Sequence, residues 1–365
     1  MMVRVMSLKV VAAAIALLLT LSAVVFAQDQ TRKGVFLFPI TLPDKGIGFI
    51  DQTGRVVIEP RFVGSMYGIR FSEGLAPVLV DKRNTGWGYI DAKGKIVFTV
   101  PEARWAGDFT EGLAGVAFAA KATDSDEEKL KWGFIDKTGK MIIKPQFDEQ
   151  YGFAEGMGRV VVNGLWGLID RTGKFVIEPQ FKSILYFSEG FASVALANDQ
   201  RVFIDHLGQI ASPGKYTFTA SWFSEGLIEF YSENKCGFMN THWQVVIEPK
   251  FDECGQIFSD GIAAVRVGDR WGVIDKLGKF VIEPKYEQRL SFHEGLAMMF
   301  IDGKYGYIDK SGAVVIEPQF LEAGDFRGGL AAVTRDPRVK TVQCCWRYWD
   351  YIDKSGKFVW QSPKE

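Results

Sequence analysis

Carboxylates recur through this chain at two fixed places. Glu73, Glu111, Glu155, Glu189, Glu225 and Glu294 each precede a glycine, and Glu59, Glu178, Glu248, Glu283 and Glu317 each precede a proline. Two carboxylates about 5–9.5 Å apart can hydrolyse a glycosidic bond, one as acid and the other as nucleophile or base. That chemistry needs one unique pair, whereas these residues return in copy after copy of a short pattern. They read more simply as turn and ladder elements of a repeated unit. Asp recurs as well, in D-x-x-G, which lacks the ligand density of a calcium loop. His206, His242 and His293 form no H-x-x-x-H and no Cys/His cluster of zinc spacing. No G-x-S-x-G nucleophile turn and no G-x-x-x-x-G-K-[ST] phosphate loop occurs. No catalytic residue, metal site or cofactor is assigned.

The four cysteines are Cys236, Cys254, Cys344 and Cys345. Cys236 opens one strand of its unit and Cys254 follows the next, so a disulfide between them is expected, although sequence leaves the pairing open. The adjacent Cys344 and Cys345 do not make a C-x-x-C redox motif. Binding chemistry is best sought where the units differ. Residues 216–243 add Tyr216, Phe218, Trp222, Phe230, Tyr231 and Trp243; residues 334–350 hold Arg335, Arg338, Lys340, Trp346, Arg347, Tyr348 and Trp349. Exposed aromatics beside cations stack on sugars or anchor protein partners. Trp222, Trp346, Arg347 and Trp349 are therefore the candidate partner-binding residues. The competing reading has these rings filling the ends of the core or covering an edge strand.

The elements that position all of these are tandem copies of one unit. The turn Asp falls at Asp51, Asp91, Asp136, Asp170, Asp205, Asp275, Asp309 and Asp353, with Asn240 in the sixth copy. From Asp136 to Asp309 the spacing is about 35 residues per copy, the mark of a repeat architecture. W-G-[FYLV]-I-D reads as one strand and K-[FIM]-V-I-E-P as a second, ended by its Pro, with D-x-x-G as the turn between them. The third strand follows F-S-E-G and alternates, as in Ala76, Val78 and Val80. Gly173 and Gly278 are expected in left-handed backbone after their turn Asp, and Trp166 and Trp271 in the core between units. Helical periodicity is missing; the acidic insert at 119–130 reads as a solvated loop.

W-G-[FY]-I-D-K-x-G-K-x-V-I-x-P-x-[FY], followed by F-x-E-G-L-A-x-V, resembles the bacterial WG repeat, also called the KWG repeat. The likeness spans nearly all of the chain after residue 46. Ile47, Val202-Phe203, Cys236, Tyr305 and Trp349-Asp350 depart from the W-G strand. The resemblance implies an all-β repeat protein and no catalytic residues. About nine three-stranded antiparallel units are expected to stack as an elongated β-solenoid or superhelix, with a closed propeller-like ring as the alternative.

Residues 1–27 read as a signal peptide: Arg4 and Lys9 precede an apolar run that ends on Val25 and Ala27. Residues 28–45 form a lead-in, 46–360 the array and 361–365 a tail. An uncleaved membrane anchor is the alternative, and no later segment is apolar enough to span a membrane. The formal net charge of −1 gives no basic excess for nucleic acid. The expectation is a secreted or periplasmic, non-enzymatic binding or scaffold protein whose partner is a protein or an envelope glycan. A carbohydrate-active hydrolase and a purely structural envelope protein are the alternatives.

Overall fold

The unit is clearest where the repeat is most even. Glu149–Ala154, Met157–Val162, Leu165–Ile169 and Phe175–Phe181 pair antiparallel in sequence order as one four-stranded sheet. The computed structural model describes residues 36–42, 45–63, 69–80, 86–120, 129–255, 257–335 and 349–363. Among these residues there are nine antiparallel sheets of three or four strands and no helix. Counted along the chain as blades 1 to 9, they form a nine-bladed β-propeller; the sheet just described is blade 4.

Each blade is buried on both faces at its middle strands, so Met157–Val162 and Leu165–Ile169 carry runs of buried residues. The fourth strand, Phe175–Phe181, alternates buried and exposed residues as a rim strand should. In blades 3, 4, 5, 7, 8 and 9 a first strand joins those read from sequence. In blades 5, 7, 8 and 9 it is only two residues long: Ser183–Ile184, Glu253–Cys254, Phe292–His293 and Glu322–Ala323. Two residues are too few for period-two alternation to show.

The proline does not end its strand. Phe175–Phe181 runs through Pro179 to Phe181, with Trp166 opposite Phe181 and Leu168 opposite Ile177. The fourth strand thus carries extra residues in a bulge at Glu178-Pro179-Gln180. A bulged residue makes no ladder bond, so the missing N–H of proline does no harm there. The glycine of W-G belongs to the same device. A Cβ on Gly167 would lie 2.8 Å from the Ile177 carbonyl oxygen and 2.9 Å from the Pro179 nitrogen.

Of the two closures open to the array, the solenoid expected first is not adopted; the chain closes into a ring. The cause lies at its two ends. A solenoid needs terminal units with polar outer faces. Here Phe38, Ile40 and Ile50 of blade 1 share one buried cluster with Leu330, Ala332 and Tyr351 of blade 9. Tyr351 donates its hydroxyl to the Pro39 carbonyl at 2.8 Å, and Gln52 Nε2 donates to the Gly328 carbonyl at 2.8 Å. Each sequence copy also straddles two blades, because the F-x-E-G strand pairs with the W-G strand that follows it.

Neighbouring blades are clamped by the F-S-E-G turn. Its Phe is buried, as Phe187, Phe223 and Phe258 are. Its Ser reaches the next blade: Ser188, Ser224 and Ser259 donate to the carbonyls of Phe223, Phe258 and Phe292 at 2.6–2.9 Å. Its Glu sits at φ 51–53° with the following Gly also at positive φ, the two-residue hairpin turn that ordinarily selects Asn-Gly. Glutamate stands there because its longer side chain accepts the next blade's Gly N–H, as Glu73 does from Gly112 at 3.0 Å and Glu155 from Gly190 at 3.0 Å. A lysine from the next blade's D-K-x-G turn completes the clamp, at 2.9 Å for Lys137 on Glu73 and 3.1 Å for Lys276 on Glu225. The recurring glutamates are therefore structural, as the repeat argument expects, but they join blades and do not merely shape turns.

Gly173 and Gly278 adopt φ of 88° and 77°, as expected, and each also packs on the preceding blade. A Cβ there would lie 2.8 Å from Ile143 and 2.9 Å from Ile247. Trp271 is buried, whereas Trp166 is half-buried with its ring stacked on Tyr151 at 4.4 Å.

Candidate functional site

Blades approach one another through their first strands, which meet the inner strands of the preceding blade. Trp105–Thr110 of blade 3 packs on Leu75–Leu79 of blade 2, and Glu149–Ala154 packs on the first and second strands of blade 3. At the other edge of the blades, Val176, Val246 and Val281 of the fourth strands stand exposed. The first strands therefore lie nearest the ring axis, with the F-x-E-G turns at one end.

One position beside these strands varies from blade to blade, with only Asp occurring twice. The residue just before the buried Phe is Arg70, Asp108, Gly152, Tyr186, Trp222, Ile257, Ser291 and Asp325 in blades 2 to 9. All are half-buried or exposed. A column that is uniform in place but varied in residue type gives a ring of largely dissimilar side chains around the axis. This is the candidate binding site.

The ring has an ionic arc. Arg70 of blade 2 pairs with Asp108 of blade 3. In blades 8 and 9, His293 Nε2 lies 3.3 Å from Asp325 and Arg327 3.9 Å from the same carboxylate. Burial holds the Arg327 guanidinium below its usual range; Asp325 opposes this and the positive field of Arg70 adds to it. The two arginines thus feel each other across the seam where blade 1 shows no first strand among the described residues.

The other arc is aromatic. Tyr186 and Trp222 occupy the column itself in blades 5 and 6, with Tyr151 beside them in blade 4. Beneath Tyr186 lies Arg159, 1% exposed, its guanidinium 3.4 Å from the Tyr186 ring centre. Arg159 stands at the middle of a second strand, Met157–Val162, where the other blades carry Pro39, Pro77, Gly115, Ser193, Glu229, Ala264, Met298 and Ala332.

The sequence candidates separate cleanly here. Trp222 lies in the axial ring and outside the aromatic cluster that Tyr216, Phe218, Phe230 and Trp243 fill, so core filling accounts for those four and not for Trp222. Trp349 packs against the buried cluster that closes blade 9 on blade 1, so it seals the seam. Trp346, Arg347, Cys344 and Cys345 lie outside the described residues, as do most of the acidic insert and residues 1–27. Cys236 and Cys254 form a disulfide with Cα atoms 6.0 Å apart. It ties the third strand of blade 6 to the first strand of blade 7, so it bridges two blades. Sequence reasoning missed Arg70, Asp108, Tyr186 and Arg159. Aligning the copies and asking which half-exposed column varies most would have found the first three. The cation of M-G-R-V-V-V inside an apolar run was a visible signal for the fourth.

Among the described residues no group of three or more His, Cys, Asp or Glu could hold a metal ion, and no helix is long and apolar enough to cross a membrane. No curated protein matches the chain. Among solved structures it is similar to one described as the eukaryotic initiation factor, at 12% identity over 91% of this chain and 98% of that one, with a TM-score of 0.59. It is also similar to BamB from Moraxella catarrhalis, at 9% identity over 74% of this chain and 94% of that one, with a TM-score of 0.42. The first likeness shows the fold alone and the second carries no argument. The family described as WG containing repeat matches residues 47–83, 87–118, 132–166, 166–198, 203–236, 237–271, 271–305 and 305–336, and the chain belongs to that family.

Proposed function

We propose that this propeller is an exported, non-enzymatic binding protein that holds a protein or an envelope glycan on its axial face. One observation carries the reading: the residue before the F-x-E-G phenylalanine takes seven identities in eight blades while its surroundings repeat. A clamp that recurs supports the ring, and a half-exposed position free of that duty is where a ligand can be read. Aromatic and arginine side chains are the usual anchors of binding energy, and Trp222, Tyr186 and Arg70 stand in that position. The recurring glutamates are engaged by the next blade, which favours binding over hydrolysis. Export is supported by the charged, apolar and small-residue order of residues 1–27 and by the disulfide, which persists in oxidising compartments.

The test is capture of envelope proteins and binding to a glycan array by the exported chain, its Trp222→Ala variant and a rim control, Val281→Thr. Loss with Trp222→Ala and retention with the control are expected. Unchanged capture by Trp222→Ala would place the site elsewhere.

A further inference from the structure

We propose that Arg159 anchors a carboxylate-binding subsite at the junction of blades 4 and 5, covered by Tyr186, and that its ligand is an acidic sugar. This rests on the axial reading above and names the ligand class. Arg159 is buried, and no described carboxylate pairs with it. It donates to the carbonyls of Ile184 and Tyr151, while its Nε, also buried, has no partner. A guanidinium stays charged in proteins, so a full positive charge sits there without a counter-ion. Burying an unpaired charge is expensive, and the fold does not require it, since Gly115, Ser193 and Ala332 serve at the same position in other blades.

The faces of Tyr186 and Tyr151, with centres 3.4 and 5.6 Å from the guanidinium carbon, supply part of what a counter-ion would give. An arriving carboxylate supplies the rest, because its two oxygens match the guanidinium fork. Tyr186 is half-exposed in the axial ring, so rotation of its side chain opens the way. The aromatic arc chooses among carboxylates. Tyr186 and Trp222 offer flat apolar faces of the kind on which pyranose rings stack. A sugar ring on these faces brings its acid group toward Arg159.

Calorimetry on the full exported chain would use an oligogalacturonate and its methyl ester, which removes only the charge. The wild type should bind the acid about 10- to 100-fold tighter than the ester, the range of a charge-assisted hydrogen-bond pair. Arg159→Met should bind both alike at the level of the ester, and without ligand should melt no lower than the wild type. Trp222→Ala should weaken acid and ester together. Equal binding of acid and ester by the wild type, no binding of either, or an acid preference kept by Arg159→Met would each overturn the inference. A lowered melting point for Arg159→Met would make the arginine a structural post. Arg159-dependent binding of poly-glutamate in place of the sugar would assign the subsite to an acidic peptide. If only the acid preference fails while Trp222→Ala still loses capture, the axial reading stands without this subsite.

Discussion

Replacing Glu225 by alanine tests whether the repeated carboxylates hold blades together. Glu225 of blade 6 accepts the Gly261 N–H of blade 7 at 3.0 Å and pairs with Lys276 at 3.1 Å, while Lys276 also donates to the Glu225 carbonyl at 2.9 Å. A charge-assisted hydrogen bond contributes about 1.5–3 kcal/mol. Glu225 is about a third exposed and Lys276 nearly half, so the ion pair adds at most about 1 kcal/mol. Alanine keeps the burden of positive φ at this site, so nothing is recovered there. The expected loss is about 2 kcal/mol, or about 3 °C in Tm for a chain of this length. Glu225→Asn separates the parts. Asparagine accepts positive φ more readily but is too short for the clamp, so it should lose about 1 kcal/mol. Glu225→Gln keeps the reach and loses only the charge. Urea unfolding of these variants, with a Glu225/Lys276 double-mutant cycle, reads the terms directly. An alanine midpoint within error of wild type, with no coupling to Lys276, would refute the clamp.

Trp271→Ala should cost about 3–5 kcal/mol and the half-buried Trp166→Ala distinctly less, by the same unfolding assay; equal losses would contradict their different burial. Reducing the Cys236–Cys254 bridge, which spans 18 residues, should lower stability by about 3 kcal/mol, with Cys236→Ser matching the reduced wild type and gaining nothing further from reductant. The turn carboxylates set the acid limit. Asp136 and Asp170 are held below the usual value of 3.8, chiefly by the hydroxyls of Thr138 and Thr172 and by backbone N–H groups. A depressed folded pKa contributes stability that is present above the unfolded value and is lost as pH falls through the folded one. Stability should therefore drop steeply below about pH 4, and Asp170→Asn should flatten that drop while keeping the turn, because Asn240 already makes the same bonds to His242 and Gln244.

What the sequence displayed best was whatever the repeat multiplied. The hairpin glycines, the buried strands and the structural reading of Glu73 or Glu189 all follow from seeing one pattern many times. Closure was less legible, because it depends on complementarity between ends that no local period encodes. Phe38 meets Tyr351 at 5.6 Å, yet the two rings are 313 positions apart. The first strand was invisible for another reason. Its backbone pairing is supplied by the second strand of its own blade, so residues such as Ser183 and Glu322 need no strand propensity of their own. Trp222 stood out by residue type alone, while Tyr186 and Arg70 become notable only once the copies are superposed as blades.

The seam shows why the clamp and the binding column can vary independently. Where blade 9 meets blade 1, both partners of the usual ion pair are gone: Gly328 stands at the glutamate position and Gln52 at the lysine position. Gly328 is not a casual loss. A Cβ there would lie 2.6 Å from the Phe36 ring, so blade 1 packs an aromatic ring into the space the side chain occupies elsewhere. The ring thus closes by an apolar cluster and two hydrogen bonds at one junction and by carboxylate clamps at seven others. The seam leaves Arg70 and Arg327 within each other's field. Since the repeated glutamate clamp does not use the residue before the phenylalanine, substitutions at Tyr186 or Trp222 can change the ligand without breaking that clamp, whereas Arg70, Asp108 and Asp325 also pair between blades. Trp222→Ala should accordingly leave the unfolding midpoint nearly unchanged, within about 0.5 kcal/mol as for a surface site, while a clamp variant such as Glu225→Ala lowers it. A large loss of stability in Trp222→Ala would mean that the axial ring is itself part of the scaffold and would remove the reason for seeking the ligand there.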